Sequence, residues 1–211
     1  MNAIYRLFKL SSEQFFLLIK KDLLPSGLDA LKKYAVFSKV SFDLRDWQII
    51  GLIGEKYGKI TPHFSWEIDG QRSILLNESE LSVNFNGDEK IWDVADIQAG
   101  LPNLSLQTQN EFIPQALNLQ AIDQAISFTK GCYIGQETVA RAKYRGANKR
   151  AMFVFKAQTQ QEVEIGSEIE IQIESNWRKT GTITSAVNLD GVLWLQVVMN
   201  NDTTAKQKFR L

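Results

Sequence analysis

Lys130-Gly-Cys-Tyr-Ile-Gly-Gln-Glu137 holds the chain's single cysteine, two glycines and a run of polar groups, and the rest of the sequence reads as its support. Gly135 is placed to open a helix whose body is Gln136 to Tyr144, with Val139, Ala140 and Ala142 as fillers for a close-packed turn. A thiol just before a helix start lies near unpaired backbone N–H groups and the positive end of the helix dipole, and both favour the thiolate. Lys130 adds a positive charge nearby, while Gly131 and Gly135 bracket Cys132 with backbone that can bend sharply. The competing reading is a small core hydrophobe, since free cysteine is among the most buried residue types. Glu137 suits a first helical turn, as a dipole-favoured carboxylate or as a partner for Arg141 one turn on. Gln136 and Tyr133 are read with it as shaping the loop.

Downstream of this stretch, Arg141, Lys143, Arg145, Lys149 and Arg150 form a basic run that suits either an anion or a solvated face. After Arg150 the pattern changes. Ala151 to Lys156, Glu168 to Glu174, Thr180 to Asn188 and Val192 to Met199 alternate and are separated by turns such as Gly166-Ser167 and Asp190-Gly191. Lys206 to Arg210 adds a candidate fifth strand. Ile169, Ile171 and Ile173 share one face, with Glu168, Glu170, Gln172 and Glu174 on the other, which describes half-buried sheet. A small antiparallel barrel or sandwich beginning near Lys149 closes such strands, dividing the chain into an α+β region, 1–148, and a β domain, 149–211.

Upstream, Ile4 to Leu10 reads as a strand. Ser11, with Gln14 completing a capping box, predicts a helix over Glu13 to Leu24, ended by Pro25-Ser26-Gly27. A shorter helix, Leu28 to Tyr34, leads into a predicted strand over Val36 to Leu44. Trp47 to Ile53 is a further strand, with Phe64 to Ile68 and Ser73 to Leu76 as weaker ones. Phe85 to Glu89 carries the turn signal Asn86-Gly87. Ile91 to Ala99 reads as a helix with Ile91, Val94, Ala95 and Gln98 on one side, ended by Gly100 and Pro102. Asn103 to Phe112 is read as loop, and 114–127 as extended or turn-like chain with a short helix. Strands interleaved with helices in this way predict an α+β layer.

Several chemistries lack their residues. With one histidine, His63, read in a turn after Pro62, and one cysteine, no metal site is expected: zinc or an iron–sulfur cluster held by this chain alone would need several such ligands. No glycine-rich phosphate loop or dinucleotide fingerprint is present. A lone cysteine cannot form an internal disulfide, no apolar run approaches a membrane span, and the cytoplasm is the default location. Formal net charge is zero, so any attraction for nucleic acid would be local. Trp92 opens a helix in an acidic neighbourhood, where its ring either packs inward or stacks on a flat heteroaromatic ligand.

The runs Phe112-Ile-Pro-Gln-Ala-Leu-Asn-Leu119, Ile126-Ser-Phe-Thr-Lys-Gly-Cys-Tyr-Ile-Gly-Gln-Glu137, Val139-Ala-Arg141 and Tyr144-Arg-Gly-Ala-Asn-Lys-Arg150 together resemble the signature of the YgfZ-type folate-binding proteins. That family is related to the aminomethyltransferase of the glycine cleavage system. The likeness is dense from about Trp92 to Arg150 and weaker elsewhere. It implies a ferredoxin-like folate-binding layer followed by a small antiparallel β-barrel. It also implies tetrahydrofolate as ligand, with Trp92 linked to folate. Arg141, Lys143 and Arg145 then become contacts for a folate polyglutamate tail or RNA. The family carries a longer N-terminal portion that supplies one side of the folate cleft, and this chain begins at what resembles the middle of the first domain.

The resemblance implies a tetrahydrofolate-binding accessory protein that supports iron–sulfur cluster assembly or repair and, through it, tRNA modification. Its expected partners are iron–sulfur enzymes such as a tRNA methylthiotransferase, with Cys132 as the reactive residue. Two other readings stand beside it. One is a tetrahydrofolate-dependent aminomethyltransferase-type enzyme, which needs a general base against the bound pterin. The other is an RNA- or protein-binding module that uses the basic stretch 141–150 and weakens steeply with salt.

Overall fold

Alternating apolar positions build three antiparallel sheets, joined by three helices, in a computed structural model that describes residues 1–54, 61–84 and 86–211. The first sheet is a hairpin of β1 (Arg6–Lys9) and β2 (Phe15–Leu18), paired from Arg6 with Leu18 to Lys9 with Phe15. The predicted helix over Glu13 to Leu24 is therefore replaced by a strand. The Ser11 hydroxyl does accept from the backbone N–H groups of Glu13 and Gln14, but it caps a hairpin turn. Phe16 explains the outcome, because its ring meets Trp47, Phe64 and Trp66 while Phe8 stacks on Trp66 at 4.3 Å. Aromatic packing at period two outweighs a local capping pattern.

Helix α1 runs Leu24–Ala35, with Pro25 in its first turn. Pro25-Ser26-Gly27 thus begins a helix instead of ending one, as proline's fixed φ and missing donor allow at a helix start. The strand predicted over Val36 to Leu44 is absent: the segment has no regular structure and leaves Val36, Phe37, Val40 and Leu44 exposed. The second sheet, in the order β3-β5-β4, comprises β3 (Gln48–Ile53), β4 (Phe64–Asp69) and β5 (Arg72–Asn77). Helix α2 (Glu89–Gln98) starts at Asp88, whose side chain accepts from Lys90 N–H, and stops at Gly100 with φ +67°. Its buried side is Val94, Asp96 and Ile97, whereas Ile91 and Gln98 are exposed, so the inward face is rotated from the predicted one. Phe85, at the edge of the predicted Asn86-Gly87 turn, lies outside the described residues.

Two short 3₁₀ turns, Pro114–Leu117 and Leu119–Ala121, give the middle of the chain its shape. They bring Phe112, Ala116, Leu117 and Leu119 into one core with Leu23, Leu104, Met152 and Val198. Asn118, in a left-handed conformation, both donates to the Met152 carbonyl and accepts from Met152 N–H, fastening this core to the C-terminal sheet.

That third sheet has the order β10-β7-β8-β9-β6 and is antiparallel throughout. Its strands are β6 (Arg150–Gln158), β7 (Glu168–Ile173), β8 (Asn176–Leu189), β9 (Val192–Asn200) and β10 (Phe209–Arg210). Asp190 and Gly191 both take positive φ, the conformation of a tight two-residue hairpin turn. Register shifts at Glu168/Ile169 and Ile183/Ser185 bend the long strands. The sheet curls so far that Phe155 and Phe209, on its two edge strands, bring their rings to 5.1 Å over a core of Ile169, Ile183, Leu193, Leu195, Val197 and Met199. This is the expected α+β layer with a C-terminal barrel-like antiparallel sheet.

Candidate functional site

Helix α3 (Gln136–Tyr144) begins where the sequence places it, with Gly135 as its N-cap at φ +88°. Only glycine takes that conformation without strain, and no side chain caps the turn. Val139 is the buried residue of α3, and its carbonyl accepts from Gln115 Nε2 at 2.8 Å, so the Pro114–Leu117 turn carries the helix. The loop before it is exposed from Lys130 to Gly135 except at Tyr133, which is half-buried.

Cys132 is free and exposed, which removes the core-hydrophobe reading. Lys130 places its ammonium over the Tyr133 ring at 4.5 Å, and its backbone N–H donates to Ser127 Oγ. Gln136 is half-buried and hydrogen-bonds through its backbone to the Tyr133 carbonyl, tightening the turn between Cys132 and the helix. Glu137 pairs with Arg141 at 3.1 Å along the helix surface, with both side chains largely in solvent. Lys143 sits over the Phe128 ring at 3.5 Å, and Arg145 is exposed at the helix end. Glu137, Ala140, Arg141, Tyr144 and Arg145 line a shallow depression on α3. The thiol is exposed on the loop that precedes α3, and Arg141 and Arg145 are exposed on the helix and at its end.

Trp92 occupies a different place. Its half-buried ring lies on β3 where Gly51 leaves room: a Cβ on Gly51 would come within 2.4 Å of Trp92 Cε3. Two guanidinium groups face the indole, Arg72 at 5.2 Å and Arg6 at 5.9 Å. Asp96 accepts from both, from Arg6 Nη2 and Arg72 Nη1 at 2.6 Å each, and Arg72 Nε donates to Asp69 at 2.7 Å. Arg72 is only 4% exposed in its side chain. Burial pushes the Asp69 carboxyl up, but the Arg72 side chain, the backbone N–H groups of Gln71 and Arg72 and the Arg72 charge outweigh it and hold Asp69 below the usual carboxylate value. Sequence reading found Trp92 but missed Arg6, Arg72, Asp96 and Gln115. The available signal was a charged or polar residue at an inward position: Asp96 between apolar residues of α2, and Arg72 at the head of an apolar strand.

His63 is exposed, with its ring 5.2 Å from Trp47 and its backbone N–H bonded to Asn77. Among the described residues no three His, Cys, Asp or Glu side chains converge as a metal site, and no helix is long and apolar enough to cross a membrane.

Residues 148–211 match the family described as "YgfZ, beta-barrel domain". The whole chain is 88% identical to an "Uncharacterized protein" of Haemophilus influenzae and spans 75% of it. A "tRNA-modifying protein YgfZ" from Yersinia pestis and one from Yersinia pseudotuberculosis are each 39% identical over 226 residues, covering 91% of this chain and 67% of theirs.

Proposed function

This chain belongs to the YgfZ family, and on that premise we propose that it acts in tRNA modification as a folate-binding accessory protein, with Cys132 as its reactive group. The observation that carries this reading is the exposure of the lone thiol on the loop that leads into α3. Gly135 makes the turn, Gln136 tightens it, and Gln115 fixes the helix behind it. An exposed thiol on an open loop is accessible to a reaction partner, which a buried structural cysteine is not. Clients are iron–sulfur enzymes whose clusters this protein helps to assemble or repair, among them one that modifies tRNA. Arg141, Lys143 and Arg145, on the helix that follows the thiol loop and at its end, provide the positive charge for a polyglutamate tail or RNA phosphate. The chain is organised as a folate-binding region, 1–148, and a barrel domain, 149–211.

Tetrahydrofolate fits the residues around Trp92. A half-buried indole offers an aromatic surface, and Arg6 Nη1 and Arg72 Nη2 are buried donors without a hydrogen-bond partner among the described residues. Such groups suit a flat ring bearing carbonyl acceptors. When bound, the folate would supply one-carbon chemistry, while the chain's own residues hold and orient it.

The test is complementation in cells lacking their own family member, reading a cluster-dependent tRNA modification. Cys132→Ala should abolish rescue while the purified variant stays folded. Full rescue by the variant would overturn the role given to the thiol.

A further inference from the structure

We infer that Arg6, Arg72 and Asp96 are positioning residues for Trp92: they pin the indole against Gly51 and thereby set the affinity of a flat ligand that uses that ring. The inference rests on the folate reading for the ligand's identity and on the geometry alone for the pinning.

Trp92 and Asp96 stand four residues apart on α2 and so share a face of the helix. That face supplies both the ring and the counter-ion of the cations beside it. Arg6 comes from the hairpin, Arg72 from the second sheet, and the two like charges would repel each other without Asp96 between them. One carboxylate oxygen takes each guanidinium at 2.6 Å. Both guanidinium groups then face the indole, an arrangement attractive for a cation and a π system. Gly51 completes the seat, because a side chain there would occupy the ring's place. Three separate elements therefore converge to hold a side chain that is itself only half-buried. Among the described residues, the two buried guanidinium nitrogens without hydrogen-bond partners belong to these same arginines, whose guanidinium groups face the indole. Holding the ring before binding spares the ligand the entropy of ordering it, which is how preorganisation raises affinity.

The experiment measures Trp92 directly in the full chain. Arg6→Gln, Arg6→Lys and Asp96→Asn are each compared with the same variant carrying Trp92→Phe, which isolates the Trp92 contribution to acrylamide quenching and near-ultraviolet circular dichroism. Tetrahydrofolate is titrated in parallel. Arg6→Gln and Asp96→Asn should raise Trp92 quenching about twofold and weaken tetrahydrofolate binding about tenfold, roughly the loss of one favourable contact. Arg6→Lys keeps the charge without the planar fork and should fall between. The Arg6 side chain is 28% exposed, so its substitution leaves a folded protein to measure. An unchanged Trp92 signal in Arg6→Gln would overturn the inference whatever folate does. A changed signal with no saturable folate response in the unaltered chain would uphold the pinning and overturn the folate reading.

Discussion

Gln115 Nε2 donates to the Val139 carbonyl at 2.8 Å, and the Gln115 side chain is buried at the junction. One side chain from a 3₁₀ turn thus bears on the first turn of α3 and ties the helix to the core. Replacing Gln115 by Ala removes the donor, leaves a void, and should cost about 1–3 kcal/mol. Hydrogen exchange of the α3 amides should accelerate more than exchange in the barrel strands. Uniform acceleration across the chain would show that the contact serves general stability only.

Cys132 invites a second measurement. Because it is exposed and free, Cys132→Ala should change the unfolding free energy by less than about 0.5 kcal/mol, the range for surface positions. A thiol reagent should titrate one equivalent in the native protein without a denaturant. Protection of the thiol until unfolding would contradict its placement on the open loop.

The parts of the fold that were legible in the sequence are those in which neighbours along the chain decide the conformation. Gly135 opens α3, Asp190-Gly191 turns β8 into β9, and the alternation over 168–173 makes a strand, all from short-range patterns. The parts that were not legible depend on distant partners. Phe15 to Leu18 became a strand because Phe16 finds Trp47, Phe64 and Trp66, which no capping rule anticipates. The same holds for the site. The Cys132 loop could be read as a unit because it is contiguous, whereas the seat of Trp92 is assembled from β1, β3, β5 and α2. Val36 to Leu44 alternates as a strand should, yet no strand among the described residues pairs with it.

Acid should loosen the Trp92 seat from one identifiable side. Asp69 is held below its ordinary value of 3.8 in the folded chain, so the folded state binds that proton less readily than the unfolded one. Its contribution is present above that ordinary value and is lost as pH falls through the lowered one. Stability measured by urea unfolding should therefore decline below about pH 4. In Asp69→Asn the decline should be shallower while Arg72 keeps its bond to Asp96. An identical acid profile in the variant would mean that the Asp69–Arg72 pair, 40% exposed on the Asp69 side, is too well solvated to matter.

Glu137 and Arg141 separate stability from function most cleanly. Their ion pair spans 3.1 Å, but the side chains are 81% and 54% exposed, so water and salt screen it. Exposed pairs one helical turn apart contribute about 0.3–0.5 kcal/mol, so Glu137→Gln should leave the unfolding midpoint nearly unchanged. If the acid serves only the helix, rescue of tRNA modification in cells should be equally unchanged. We expect rescue to fall, because Glu137 holds the Arg141 guanidinium along the helix surface proposed to meet an anion, and freeing it alters the charge that anion meets. The double variant Glu137→Gln, Arg141→Gln should then be no worse than Arg141→Gln alone. Fully additive losses would show that the two side chains act independently, and the pairing would have no functional meaning.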